Sequence, residues 1–224
     1  MTLPKPYYQD SAVTLYHGDC RQIVPLLGRF DLLLTDPPYG VSLGKRANNN
    51  RERDCYAGSS DGAVETWAMI REAWVCFRNA SERLVFTPGV RLMYEYERPD
   101  HTGAFFYPAG TGCNKWGFSC WQPIFYYGRD PYAGKGSRPD SFISTEAAEE
   151  TGHPCAKPIG QWTRLLDRCS LPGETVLDPF AGSGTTGRAC KDLGRKCVMI
   201  ECEEKYCEIA ARRMGQEVLP LDAA

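Results

Sequence analysis

No Cys-x-x-Cys pair occurs in this chain, although it holds 11 cysteines between Cys20 and Cys207. An odd, scattered set without short spacing excludes a disulfide scaffold and a zinc site built on paired thiols. It predicts reduced, mostly buried thiols of a cytosol-type compartment, and no bound metal. Long hydrophobic runs are also missing. The longest meaningful apolar stretch is Leu32-Leu33-Leu34, far short of the ~18–20 residues of a membrane span. The opening MTLPKPYYQDSAVTLYHGDC lacks the apolar core of about 7–15 residues that a secretory leader needs, so a cytoplasmic protein without a membrane partner is expected. Nor is there an excess of charge of one sign. Lys+Arg 26 against Asp+Glu 28 leaves a net charge of −2, which excludes a polybasic protein that grips nucleic acid by charge alone and leaves open basic residues clustered on one face. What remains is ordinary: 42% hydrophobic and 24% charged residues in 224, matching a soluble globular chain of one domain. Gly 22 and Pro 16 predict long working loops.

Strand-like and helix-like stretches alternate. Strands are expected at 12–16, 30–35, 83–87, 103–107, 120–127, 174–177 and 196–201, and helices at 21–27, from 61, 158–169, 187–193 and 203–214. The helix capped by Asp61 carries Val64, Trp67, Ile70, Trp74 and Phe77 three or four apart, so its tryptophans read as core. This alternation points to a mostly parallel sheet with helices on both faces.

Two strand ends carry chemistry. The first is Val176-Leu177-Asp178-Pro179-Phe180-Ala181-Gly182-Ser183-Gly184-Thr185-Thr186-Gly187-Arg188. Arg188 stands where a phosphate-gripping loop needs lysine, so that reading fails. The spacing Gly182-x-Gly184-x-x-Gly187 also fits a dinucleotide loop, or a loop for S-adenosylmethionine (SAM). Asp178 favours the second, since a carboxylate there would meet a cationic amino group and repel a pyrophosphate. Glu201, ending the next strand, suits a ribose diol in either case. Few elements follow this loop, so the rest of its half of the sheet must come from the N-terminal portion, and the fold is expected to be circularly permuted.

The second is Asp36-Pro37-Pro38-Tyr39, closing the buried strand 30–35. Two prolines stop a central strand, and ligands of open α/β sheets bind beyond such strand ends. The Asp36 carboxylate and Pro37 carbonyl offer two acceptors for the two hydrogens of an exocyclic amine, and the Tyr39 ring a surface on which its planar base can stack. A rigid structural turn is the alternative.

Together these segments resemble the cofactor and catalytic motifs of SAM-dependent DNA amino-methyltransferases, the adenine-N6 and cytosine-N4 family. The order, catalytic motif first and cofactor motif last, resembles its permuted beta class. His153-Pro154-Cys155-Ala156-Lys157-Pro158 is similar to the family's His-Pro-Thr-Gln-Lys-Pro element, departing at Cys155-Ala156. Gly18-Asp19-Cys20 is similar to the segment that meets the adenine of SAM, and Ile200-Glu201-Cys202 with Tyr206 to the ribose-binding strand and the helix after it.

The resemblance implies a Rossmann-like, circularly permuted methyltransferase fold with one antiparallel strand. It further implies a catalytic half over 1–90, a target-recognition insert over 90–150 and a SAM-binding half over 151–224. The implied cofactor contacts are Asp178 through Thr186, Glu201, Cys202, Asp19, Cys20, His153 and Lys157, and the implied partner is double-stranded DNA, with a homodimer suggested. No cysteine stands beside the Pro-Pro turn, which speaks against attack on a cytosine ring carbon. Adenine N6 is the expected target, because the tetrad opens with Asp; cytosine N4 is the alternative, and a non-catalytic nucleic-acid-binding subunit a further one. Two irregular segments are locally basic. Lys45, Arg46, Arg51 and Arg53 in one, and Lys135 and Arg138 (with Lys115 and Arg129) in the other, are candidate contacts to the DNA backbone.

Overall fold

The computed structural model describes residues 2–38, 63–110, 112–114, 116–147, 149–153 and 156–216. Tyr39, Lys45, Arg46, Arg51, Arg53, Asp61 and Lys115 lie outside the described residues. In chain order the elements are β1 (Tyr8–Gln9), β2 (Val13–His17), α1 (Cys20–Ile23), β3 (Phe30–Thr35), α2 (Ala63–Ala80), β4 (Ser81–Phe86), α3 (Gly89–Leu92) and β5 (His101–Phe106). There follow β6 (Gly112–Asn114), β7 (Gly117–Ser119), β8 (Trp121–Tyr127), β9 (Phe142–Ile143), α4 (Ile159–Cys169), β10 (Thr175–Asp178), α5 (Thr185–Asp192), β11 (Lys196–Glu201) and α6 (Glu204–Gly215).

Nine strands form one sheet in the order β1-β2-β11-β10-β3-β4-β8-β5-β9. The run from β2 to β4 is parallel throughout. The last two strands of the chain, β11 and β10, are thus inserted between β2 and β3, as the permuted reading requires. β8 runs antiparallel to both β4 and β5, and two-residue β1 adds a short antiparallel edge. The segment 90–150 is not simply an insert: β5, β8 and β9 extend the main sheet, and only the β6–β7 hairpin forms a separate ribbon.

The interior strands are apolar on both faces because helices cover both. Leu32, Leu34, Val85, Val176 and Met199 face a core shared with Trp162, Leu165 and Leu166 of α4, Ala189 and Cys190 of α5 and Ala210 and Met214 of α6. Leu33, Leu84, Phe86, Leu177 and Ile200 face the opposite core, with Ile23 of α1 and Ala73 and Phe77 of α2. Neighbours in sequence alternate between the cores, which is the period of an extended strand. The α2 tryptophans are packing groups, as expected. The Trp74 ring meets Phe86 at 5.4 Å and Tyr96 at 5.3 Å, and Trp67 meets Tyr96 at 4.9 Å.

The direction of β8 corrects one expectation. The chain leaving β8 emerges at the amino-terminal edge of the parallel strands, away from Asp36. There the Tyr132 hydroxyl donates to the Ser170 carbonyl at 3.2 Å, just ahead of β10. The Arg138 guanidinium lies 3.6 Å from the Tyr132 ring centroid and 3.4 Å from Asp167. The Lys135 N–H donates to the Tyr132 carbonyl at 2.8 Å. Lys135 and Arg138 therefore sit at the opposite end of the sheet from the catalytic turn, and are not placed to contact DNA bound there.

Candidate active site

β3 and β10 are adjacent and parallel, with Leu32 opposite Val176 and Leu33 opposite Leu177. Asp36 and Asp178 consequently lie at the same carboxyl edge. They are joined through one residue, since the hydroxyl of Thr35, immediately before Asp36, donates to Asp178 Oδ1 at 2.7 Å.

Asp178 is only 3% exposed. Its Oδ2 accepts from the Thr186 hydroxyl at 2.5 Å, and its Oδ1 also accepts from the Phe180 N–H at 3.1 Å. Thr186 is itself fixed by Trp162 Nε1, which donates to its Oγ1 at 2.8 Å. Burial pushes the Asp178 carboxyl up to about 6 against the lowering effect of these three hydrogen bonds, and the charge of Asp36 adds to the rise. The expected direct contact between Asp178 and a ligand amino group is thus corrected: the side chain is enclosed, and it builds the loop from within.

The loop turns on Gly182 (φ 51) and Gly184 (φ 79), both left-handed. The Gly182 N–H donates to Glu201 Oε2 at 2.8 Å, and the Glu203 N–H to Oε1 at 2.8 Å. Burial raises the Glu201 carboxyl, and its oxygens keep acceptor capacity beyond these bonds. The Ala181 N–H reaches the Ile200 carbonyl at 3.0 Å. On the other side, Arg213 of α6 donates to the Ser183 carbonyl at 2.8 Å and lies 3.3 Å from the Thr185 hydroxyl.

His153 packs on this loop. A Cβ at Gly182 would stand 3.1 Å from its Nε2, and its ring meets Tyr206 edge-on at 4.3 Å. Burial holds the imidazole down at about 4, so it is neutral at physiological pH. Lys157, four residues on, lies at the other motif: its Nζ is 2.7 Å from Asp36 Oδ2. His153 and Lys157 therefore stand one at each site, and Lys157, expected among the cofactor contacts, is placed on the catalytic turn. Asp36 Oδ1 accepts from the Thr87 hydroxyl, and Gln122 Nε2 lies 3.5 Å away.

The remaining expected contacts share the same edge. The Gly18 N–H donates to the Glu201 carbonyl at 2.9 Å, which sets the Asp19 turn beside Glu201. Asp19 caps α1 through the Arg21 N–H at 2.8 Å and pairs with the Arg21 guanidinium at 2.6 Å. Cys20 is buried. His17 Nε2 is 3.0 Å from the Cys202 carbonyl.

The Glu201 carboxylate, with acceptor capacity left beyond the N–H groups of Gly182 and Glu203, suits a ligand with a diol. Among the described residues no cluster of His, Cys, Asp and Glu is arranged to hold a metal, and no helix is long and apolar enough to cross a membrane. Thr35, Thr87, Gln122, Trp162 and Arg213 did not stand out in the sequence. Thr35 and Thr87 carried a usable signal, since each ends an expected strand and so reaches the edge where ligands bind.

Known proteins resemble this chain in sequence and in fold. The chain is 29% identical to the type II methyltransferase M.ScaI of Streptomyces caespitosus, over 98% of this chain and 86% of that one. It is 24% identical to M2.DpnII of Streptococcus pneumoniae, over 96% and 94%. Among solved structures, the M1.HpyAVI–SAM complex superposes with a TM-score of 0.66 at 20% identity, covering 91% of this chain and all of that one. The cytosine-N4-specific PvuII DNA methyltransferase superposes with a TM-score of 0.68 at 16% identity, covering 96% and 90%. Residues 65–212, more than half of the chain, match the N6/N4 family model described as DNA methylase, and this chain belongs to that family.

Proposed function

We propose that the protein transfers the methyl group of SAM to the exocyclic amine of a base in double-stranded DNA, and that this base is adenine. The observation that carries the reading is the Thr35 bridge: the hydroxyl bonded to Asp178 at 2.7 Å belongs to the residue just before Asp36, so a donor loop and an amine cradle open on one edge.

The loop from Asp178 to Thr186 would hold the methionine part of SAM, Glu201 its ribose diol, and the Asp19–Cys20 turn with Cys202 its adenine, with His153 closing over the loop. Bound there, SAM supplies an electrophilic methyl group on a sulfonium. The chain's own residues prepare the acceptor. An aromatic amine is a poor nucleophile because its lone pair is delocalised into the ring. Asp36 and the Pro37 carbonyl accept its two hydrogens and draw the nitrogen toward a tetrahedral shape. Lys157 and Thr87, bonded to the two oxygens of Asp36, fix the plane of the carboxylate. Asp36 need not deprotonate the neutral amine; the proton released after alkylation passes to Asp36 or to water. The effect is positioning and preorganised charge. A base inside a duplex cannot reach this edge, so it must be flipped out at a cost of a few kcal/mol, part of which stacking on Tyr39 recovers.

The test is to incubate the purified protein with duplex DNA and isotope-labelled SAM and to digest the product to nucleosides for mass spectrometry. Labelled N6-methyladenine is expected. Labelled N4-methylcytosine would assign the other amine, and no labelled nucleoside would overturn the reading.

A further inference from the structure

Of the ten large apolar side chains exposed among the described residues, five gather at one corner: Phe106, Trp116, Phe118, Trp121 and Ile143. Phe106 stands directly opposite Trp121 on β8 and Ile143 on β9, so these three share one face of the sheet. Phe118 lies on β7 of the hairpin, and Trp116 occupies its turn between Asn114 and Gly117. Trp116 is 99% exposed and Phe118 75%.

The corner belongs to the carboxyl edge. β8 starts there because it runs against β4, with Phe125 opposite Phe86. Its second residue is Gln122, whose Nε2 lies 3.5 Å from Asp36. Gln122 Oε1 accepts from the Tyr107 hydroxyl at 3.1 Å, and that hydroxyl accepts from Gln161 Nε2 at 2.7 Å. The Tyr107 N–H closes the hairpin root on the Cys120 carbonyl at 2.8 Å. The root is therefore tied to the catalytic carboxylate through two side chains, while the turn projects from it.

We propose that the β6–β7 hairpin enters the base stack of the DNA beside the flipped nucleotide, with Trp116 stacking on the bases it parts and Phe118 behind it. This rests on the reading that the protein methylates a flipped base. Water-facing indoles are costly to expose, and base faces are the flat apolar surfaces that DNA brings to this edge. Whatever covers this corner must also leave Asp36 open to a base, which DNA does by supplying that base.

The experiment compares wild-type protein with Trp116→Ala, Trp116→Phe and Phe118→Ala. It uses a duplex carrying the protein's own methylation site, mapped by modified-base sequencing. A second duplex leaves the target base unpaired, and a third carries 2-aminopurine at the target position, which brightens on unstacking. SAM binding by calorimetry checks that each variant is folded. Trp116→Ala is expected to lose about tenfold or more in kcat/KM on the paired duplex, along with the 2-aminopurine signal. The deficit should be smaller on the unpaired target, and Trp116→Phe should recover most of it. An equal deficit on both duplexes, or none, overturns the proposal. So does sedimentation showing that the variants dissociate a wild-type dimer while the deficit stays equal on both, which would assign the hairpin to a second copy. If the wild-type protein methylates none of these duplexes, it is the methyltransferase reading that has failed.

Discussion

Replacing Thr35 by Val keeps the shape of a buried side chain and deletes one donor to a buried carboxylate. Hydrogen bonds to charged groups contribute about 1.5–3 kcal/mol, and neutral ones about 1 kcal/mol. Which value applies depends on pH. Asp178 titrates at about 6 in the folded protein against 3.8 for the free group. The folded state thus takes up this proton first as pH falls, and the buried charge is present above about 6 and discharged below it. Thr35→Val should therefore lose about 2 kcal/mol at pH 8 and about half of that at pH 5. For a chain of this size about 1 kcal/mol moves Tm by roughly 2–4 °C, so thermal scans should show a drop of about 4–8 °C at pH 8 that halves at pH 5. Thr35→Ser, which keeps the donor, should recover most of the loss. An equal drop at both pH values, or a variant melting within a degree of the wild type, would refute the claim that this hydroxyl stabilises the charged form of Asp178.

Three further outcomes are expected. Asp36→Ala should still bind SAM in a calorimetric titration yet lose far more than about tenfold in methyl transfer; activity within tenfold, about 1.4 kcal/mol, would remove Asp36 from its assigned role. SAM affinity should weaken as pH falls through about 6, where Asp178 takes up its proton, and Asp178→Asn should lack that dependence; titrations between pH 5 and pH 8 check both. Ala substitutions at Lys135 and Arg138 should leave the affinity for DNA and its salt dependence unchanged, because both residues sit at the edge away from Asp36; a slope reduced by about 0.9 per residue would show that they contact phosphate after all.

The elements legible in the sequence were those whose local pattern is also their tertiary role. β3 and β11 have the boundaries expected from 30–35 and 196–201, because an apolar run buried on both faces, stopped by Asp-Pro-Pro or by acidic residues, has few other readings. The adjacency of the Asp36 and Asp178 motifs followed from their both ending strands of one parallel sheet. Direction was not legible. A strand at 120–127 reads the same run either way, yet its reversal carries Lys135 and Arg138 to the far edge and the 107–120 segment to the near one. The β6–β7 hairpin went unseen because Gly-Cys-Asn and Gly-Phe-Ser are too short and too mixed to alternate. Lys157 meets Asp36 across most of the chain, a pairing that no local spacing encodes.

The insertion of β10 and β11 between β2 and β3 has a consequence for synthesis. As the chain leaves the ribosome, β2 and β3 emerge early with apolar residues on both sides, and each meets one neighbour soon, β1 and β4, but the other arrives last: β3 waits for β10, and β2 for β11. Loop closure on that scale is slow, so the nascent N-terminal part must remain uncommitted, with sticky strand edges, until residues 175–201 have been made. Such a chain should depend on holding chaperones more than an unpermuted relative of equal stability, and a stop codon placed before residue 175 should release an aggregate rather than a partial enzyme.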